Sequence, residues 1–231
     1  MTPRRARAPD AWRAGLRASL SVVPTFVAIF AGFGIAAGVA DVPAWGALAL
    51  TAAVFAAPAQ FAMIDLAGQG PSAIVQMIVA GILVNLRFLL MSLTLSHLFG
   101  RVRRTRLLLS AQFVIATSYL LTFFRSRRQP PVDLHAYFRG IAAATLPAAL
   151  LGTALGLAFG KELPPVLAFG ATLFLPVYFA LLLAGEAKGR NEGGAVVGGL
   201  LLTPPVEYVL PGWGIFVTAL TVGAAITAFE R

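Results

Sequence analysis

The chain has 231 residues, of which 58% are hydrophobic and only 12% are Asp, Glu, Lys or Arg, and its formal net charge is +9. A soluble domain usually carries about twice that charged fraction; the length would allow one soluble domain, which the distribution of the apolar residues rules out. Cysteine is absent, which excludes a disulfide frame, a thiolate metal site and a Cys nucleophile. The arginines sit between apolar blocks and form no basic domain, which excludes a nucleic-acid-binding protein.

The apolar residues come in continuous blocks of about 20, long enough to cross a bilayer as helices and not alternating as barrel strands do. The expected class is all-α: a polytopic membrane protein with seven or eight transmembrane segments in one integral membrane domain over 1–231. Residues 1–17 read as a basic cytoplasmic tail. Arg4, Arg5, Arg7, Arg13 and Arg17 followed by apolar Leu20 to Ala40 mimic a signal peptide. That run is longer than the usual h-region of roughly 7–15 residues and contains Pro24, so a retained helix is expected.

In chain order, Leu20 to Val39 is the first segment, closed by a turn at Asp41 and Pro43. Trp45 to Leu66 is the second, broken near Pro58, and Gly68-Gln69-Gly70-Pro71 is a turn by composition. Ser72 to Phe99 is the third, with Asn85 and Arg87 near its middle, and Arg101, Arg103, Arg104 and Arg106 make a basic loop. Leu107 to Phe124 is the fourth and most polar, carrying Ser110, Gln112, Thr117, Ser118 and Thr122. A second basic loop runs from Arg125 to Arg139, followed by the fifth segment, Gly140 to Phe159. Val166 to Ala184 is the sixth, broken at Pro176. Gly193 to Leu202 opens a seventh that Thr203-Pro204-Pro205 interrupts, and Trp213 to Phe229 is the last.

With the N-terminus cytoplasmic and every segment crossing, Arg125 to Arg139, Lys188, Arg190 and Arg231 fall inside, as the positive-inside rule wants. The loop from Arg101 to Arg106 falls outside and breaks the rule. Either that loop is an exception, or one of segments two, three and four enters without crossing, which is allowed where its irregular backbone is buried in protein.

Two halves share a weak pattern. Arg17, Pro24, Gly34 and Gly38 are echoed by Arg139, Pro147, Gly152, Gly156 and Gly160, and the next segment in each half has a mid-span proline, Pro58 or Pro176. Paired broken helices point to a transporter site. The Gly-x-x-x-Gly spacings themselves are a packing signal.

Pro58 removes a backbone donor and pushes Ala57 out of helical geometry. A half-helix beginning near Ala59 would offer free N–H groups to a carboxylate, with Gln60 beside it; the competing reading is a proline kink with Gln60 bonding a neighbouring helix. Pro176 carries the same argument more weakly. An arginine at Arg87 costs at least about 2.5–3.5 kcal/mol at mid-membrane. With Asn85 it is a substrate counter-charge, a structural partner of Asp65, or a cap on the exposed carbonyls of a broken neighbour. His97 and His135 have no metal-ligand neighbours, and neither enzyme motifs nor a nucleotide loop occur. No cofactor, metal or catalytic residue is expected.

These residues resemble the AzlC-type branched-chain amino acid permeases, the LIV-E exporter family. PTFVAIFAGFGIAAG (Pro24 to Gly38) looks like the family's first-helix pattern. FAAPAQF (Phe55 to Phe61) is similar to its Phe-Ala-Gly-Ala-Ser-Gln-Phe signature, and NLRFLLMSLTL (Asn85 to Leu95) to its Asn-x-Arg-His-Leu-Leu-Tyr-Gly run. FLPVYFALLL (Phe174 to Leu183) looks like its later Pro-x-x-Phe segment. This chain departs in having Phe88 in place of His, Pro58 in place of Gly, and Thr117 and Ser118 in place of an Asp-Glu pair.

The resemblance implies a secondary transporter subunit that exports branched-chain or similar apolar amino acids across the cell inner membrane. It also implies a small AzlD-type membrane partner. The substrate-binding candidates are Pro58, Gln60, Asn85, Arg87 and Pro176. The alternative is a non-transporting membrane subunit that stabilises or regulates a partner, which the missing acidic pair fits.

Overall fold

The computed structural model describes residues 8–67, 73–100, 102–128, 133–173, 177, 180, 189–210 and 213–229. Every element among them is helical. The chain divides into two compact units, Met1–Thr172 and Leu173–Arg231.

The first unit contains α1 (Ala8–Ser19), α2 (Val23–Val39), α3 (Ala44–Val54), α4 (Ala57–Ala67), α5 (Ala73–Phe99), α6 (Arg104–Ala111), α7 (Ala116–Arg128), α8 (Leu134–Phe159) and α9 (Pro165–Thr172). The stretch expected to be a basic tail is largely α1. It is alanine-rich and amphipathic, with Asp10 in its first turn and Arg17 in its last, charges that suit the helix dipole. Ala11, Gly15 and Ser19 are buried. α1 meets α2 at a bend of 62°.

α8 is the axis of this unit. Its start packs against α1, where a side chain on Gly15 would run into the Tyr137 carbonyl and one on Gly140 into the Trp12 carbonyl. Its later turns pack against α2. A Cβ on Gly152 would strike the Val27 carbonyl, and one on Gly156 the Ala31 carbonyl. The glycine spacing seen in the sequence therefore does what small-residue stripes do, bringing two backbones into contact. As α8 advances from Gly152 to Gly156 to Gly160, its neighbours on α2 advance from Val27 to Ala31 to Ile35, so the two helices run parallel.

Two segments expected to cross do not run from one end of the unit to the other. α3 and α4 are separated only by Phe55 and Ala56 and double back. Val42 and Ala47 at the start of the pair, and Phe61 and Ile64 near its finish, pack with Phe33 and Ala37 of α2 and Leu157 of α8. Both outer ends of α3–α4 thus lie where α8 finishes. α6 and α7 double back from the opposite end. Ser110 bonds His135 at 2.9 Å. Leu121 packs with Ala136, Tyr137 and Ile141, and the Arg125 guanidinium lies 5.7 Å from the Tyr137 ring. Arg106, in the first turn of α6, lines one cavity with His135 and Arg139, so both outer ends of α6–α7 lie where α8 starts. α5 is the long return path. Gly81 faces Met63 of α4, while Leu95 packs with Val114 and Phe138, and Phe99 meets His135 at 5.2 Å.

The second unit holds α10 (Arg190–Val209) and α11 (Gly214–Phe229). Gly198 packs closely on Val222, and the Gly214 N–H donates to Glu207 Oε2 at 2.8 Å. Pro204 and Pro205 were expected to interrupt a segment, yet α10 runs through both. Proline's fixed φ is helical, and the lost bonds concern two carbonyls only. Nearby, Thr203 Oγ1 donates to the Gly199 carbonyl at 2.6 Å.

Among the described residues one helical stretch, Leu134–Glu162, is long and apolar enough to cross a membrane, and α1 with α2 passes if the bent pair counts as one span.

Candidate functional site

The site forms where the two broken pairs meet. α3 ends because Phe55 takes a left-handed conformation, φ 46° and ψ 34°, with its N–H bonded to the Thr51 carbonyl at 3.2 Å. Such a conformation costs a non-glycine residue roughly 1–2 kcal/mol. Burial offsets it: Phe55 is 1% exposed and stacks on Phe26 and Phe30 with centroids 6.1 Å away. The chain restarts as α4 at Ala57, with Pro58 in the first turn, where a missing N–H costs nothing. The break expected near Pro58 is present, and the half-helix begins two residues earlier than Ala59.

The second break lies between α6 and α7. The Ile115 N–H donates to Ser118 Oγ at 3.0 Å, and Ser118 Oγ donates to the Phe113 carbonyl at 2.8 Å. A side chain at the third helical position reaching back to the N-cap amide is one half of a capping box. Ser118 stands in one of the positions where the resemblance would place an acidic pair.

Breaking a helix orphans the carbonyls of its last turn. Two glutamines attend to the end of α3, Gln112 at carbonyls of its last turn and Gln60 at the Leu50 carbonyl just before it. Gln60 Nε2 donates to the Leu50 carbonyl at 3.1 Å. Gln112, from the other pair, donates to the Ala52 carbonyl at 2.9 Å and also to the Ala53 carbonyl. Gln60 is fully buried, and its Oε1 has no hydrogen-bond partner among the described residues.

Beside these tips lies a cavity of about 550 Å³. Its walls are Ala53 to Phe55, Met63, a stripe of α5 that includes Ile78, Ile82, Asn85, Phe88, Leu89 and Ser92, and Ala111, Gln112, Val114 and Ile115. Binding sites for small solutes fall in this size range, mostly apolar with a few polar groups to fix orientation. Asn85 Nδ2 donates to the Gly81 carbonyl at 2.9 Å, which leaves Oδ1 as an acceptor.

Of the sequence candidates, the structure brings Asn85 to the cavity wall and puts Pro58 and Gln60 at the first break. Arg87 belongs to α5, but its side chain lies outside the described residues, as does that of Asp65. Pro176 also lies outside them. The reading of the sequence did not single out Phe55, Gln112 or Ser92. Gln112 had a signal: it sits in the most polar of the apolar blocks. Phe55 had none, because nothing in the residue type announces a left-handed cap.

A second cavity, about 590 Å³, opens where α8 starts and is lined by residues of α1, α6 and α8, among them Trp12, Arg106, His135 and Arg139. No group of three or more His, Cys, Asp or Glu able to hold a metal occurs among the described residues.

Among the described residues every element is helical, and a mainly apolar cavity lies at the meeting of two broken helix pairs. The pattern of the AzlC family (AzlC protein) matches residues 21–163, well over half of the chain, and the chain belongs to that family. It is a membrane-protein family of transporter type, associated with branched-chain amino acid transport. No curated protein and no solved structure matches the chain.

Proposed function

We propose that the chain is the membrane-embedded subunit of an exporter for branched-chain and similar apolar amino acids, and that the cavity at the helix tips is where the solute is held. The observation that carries this reading is the meeting of two doubled-back helix pairs, entering from opposite ends, beside a mainly apolar cavity. Irregular backbone is tolerated at membrane depth only where it is buried in protein or lines a cavity, and broken helices mark solute sites in transporters.

Sidedness supports it too. If α2, α5 and α8 cross and the two pairs re-enter, the end where α8 starts gathers Arg103, Arg104, Arg106, Arg125, Arg127 and Arg139, with α1 adding Arg13 and Arg17. The opposite end carries Lys161, paired with Asp41 at 3.3 Å, and Glu162. The basic loop that broke the positive-inside rule then falls on the cytoplasmic side with the others, and the N-terminus is cytoplasmic.

The apolar walls suit an aliphatic side chain, while Asn85, Ser92 and Gln112 offer polar contacts to its amino acid end. Phe88, on the wall, makes the cavity more apolar than a histidine there would. The partner is a small AzlD-type membrane subunit.

The test is efflux of preloaded labelled leucine from cells expressing the chain with and without that subunit. Faster efflux that needs both is expected; efflux equal to that of cells lacking the chain overturns the substrate assignment.

A further inference from the structure

We propose that the second cavity is the vestibule through which the solute approaches from the arginine-rich end, and that Arg106 and Arg139 bind its carboxylate there. This rests on the transport reading and adds a second, outer binding site to it. The cavity is lined by Trp12, Arg106, Ser110, Phe113, His135 and Arg139, with alanine and leucine side chains between them.

Charge comes first. Both arginines are exposed, and neither is in an ion pair among the described residues. A carboxylate entering between them finds planar donors suited to bidentate bonding. His135 is fixed beside them by its 2.9 Å bond with Ser110, and Asp133, two residues before it, accepts the Ala136 N–H at 2.9 Å through one of its two oxygens.

Shape comes second. The lining on α8 runs from His135 to Leu146, about 16 Å of helix at 1.5 Å per residue. It passes from a cationic end at Arg106, His135 and Arg139 to an apolar end at Ala142, Ala143 and Leu146, which matches an amino acid with a charged head and an aliphatic side chain.

Continuity comes third. Phe113 lines this cavity, and its ring meets that of Phe55, which lines the cavity at the helix tips. Successive residues of one short stretch face the two spaces, Ser110 and Phe113 one of them, Ala111 and Gln112 the other. A single turn of chain and one pair of rings therefore separate the vestibule from the inner cavity. Movement of the α6–α7 pair, which is anchored at its tip by Gln112 and Ser118, would join them.

The chain has three tryptophans, so Trp45→Phe with Trp213→Phe leaves Trp12 as a reporter inside the vestibule. Leucine is titrated into the purified chain with its partner subunit while Trp12 fluorescence is followed. A saturable change is expected. It should weaken about tenfold or more in Arg106→Gln and Arg139→Gln, the loss of one charge-assisted pair, and recover in part in Arg139→Lys. Leucinamide, which lacks the carboxylate, should bind weakly to all of them. Leucine efflux with no Trp12 response, or a response that both arginine variants and leucinamide retain, overturns the vestibule. A signal that instead follows the anionic lipid content and ignores leucine overturns it in favour of a lipid head group. A Trp12 response to leucine without efflux leaves the vestibule standing and overturns the export reading.

Discussion

The ring of Phe55, at the tip of one broken helix pair, meets the ring of Phe113, at the tip of the other, edge to face with centroids 5.7 Å apart and planes at 71°. That contact joins two elements whose outer ends lie at opposite ends of α8. Edge-to-face pairs add about 0.5–1.5 kcal/mol beyond the area they bury, enough to set the tips in register without locking them permanently.

The backbone at Phe55 yields an unusual expectation. Phe55→Ala removes a buried ring, a loss of about 3–5 kcal/mol, and keeps a Cβ in the left-handed region. Phe55→Gly removes the same ring and releases roughly 1–2 kcal/mol of backbone strain. Glycine should therefore be the milder change, the reverse of its rank in a helix interior. Thermal melting of the purified chain with its partner subunit checks the order; a lower midpoint for glycine than for alanine contradicts the strained cap.

Gln112 holds the same junction through hydrogen bonds. Gln112→Leu leaves the Ala52 and Ala53 carbonyls without their donor, and these exposed hydrogen bonds are worth about 0.5–1.5 kcal/mol each. Gln112→Glu should be no better, because an ionised carboxylate only accepts hydrogen bonds and would face two carbonyl oxygens. Both variants should lose stability and most leucine efflux. A Glu variant with wild-type efflux would show that the bonds to α3 do not matter for transport.

Much of this was legible in the residues. Pro58 marks the first break because proline suits the first turn of a helix, where its missing N–H costs nothing; Ala57, expected to be pushed out of helical geometry, instead opens α4, and the break falls at Phe55 and Ala56. Gly152 and Gly156 announce a close helix contact by spacing alone. The failure of the Arg101 to Arg106 loop to obey the positive-inside rule left two readings, an exceptional loop or a segment that enters without crossing, and the doubled-back pairs fit the second. What spacing could not say is which segment. Segments two and four are as long and nearly as apolar as crossing helices, and only long-range contacts, such as Phe61 with Phe33 or Arg125 with Tyr137, show that each turns back. The left-handed cap at Phe55 was hidden because tertiary burial, and no local preference, holds it there. The Pro204-Pro205 pair misled in the other direction: prolines look like a stop in sequence, and α10 continues through them.

The chain's lack of cysteine makes the sidedness directly measurable. Thr105→Cys and Arg127→Cys flank the α6–α7 pair, and Glu162→Cys follows α8. All three positions are exposed. In intact cells a membrane-impermeant maleimide should label Glu162→Cys alone; after the membrane is opened it should label all three. If every segment crossed, Thr105→Cys would label from outside while Arg127→Cys did not, and that pattern would refute the doubled-back α6–α7 pair.

On the proposed transport reading, the cavity at the helix tips would set selectivity by volume and by one polar contact. Asn85→Leu keeps nearly the same size and removes Oδ1, so the half-saturation concentration for leucine should rise about tenfold, the loss of one hydrogen bond of roughly 1.4 kcal/mol to the bound solute. Phe88→Ala does the opposite kind of thing: it enlarges an apolar wall and leaves Asn85 in place. Side-chain volume in a hydrophobic pocket is worth about 1–3 kcal/mol per methylene, so this variant should lose preference for leucine and valine and gain it for phenylalanine and tryptophan. Competition of unlabelled amino acids against labelled leucine reads both effects. A Phe88→Ala variant with the wild-type order of competitors would mean that the solute is held elsewhere.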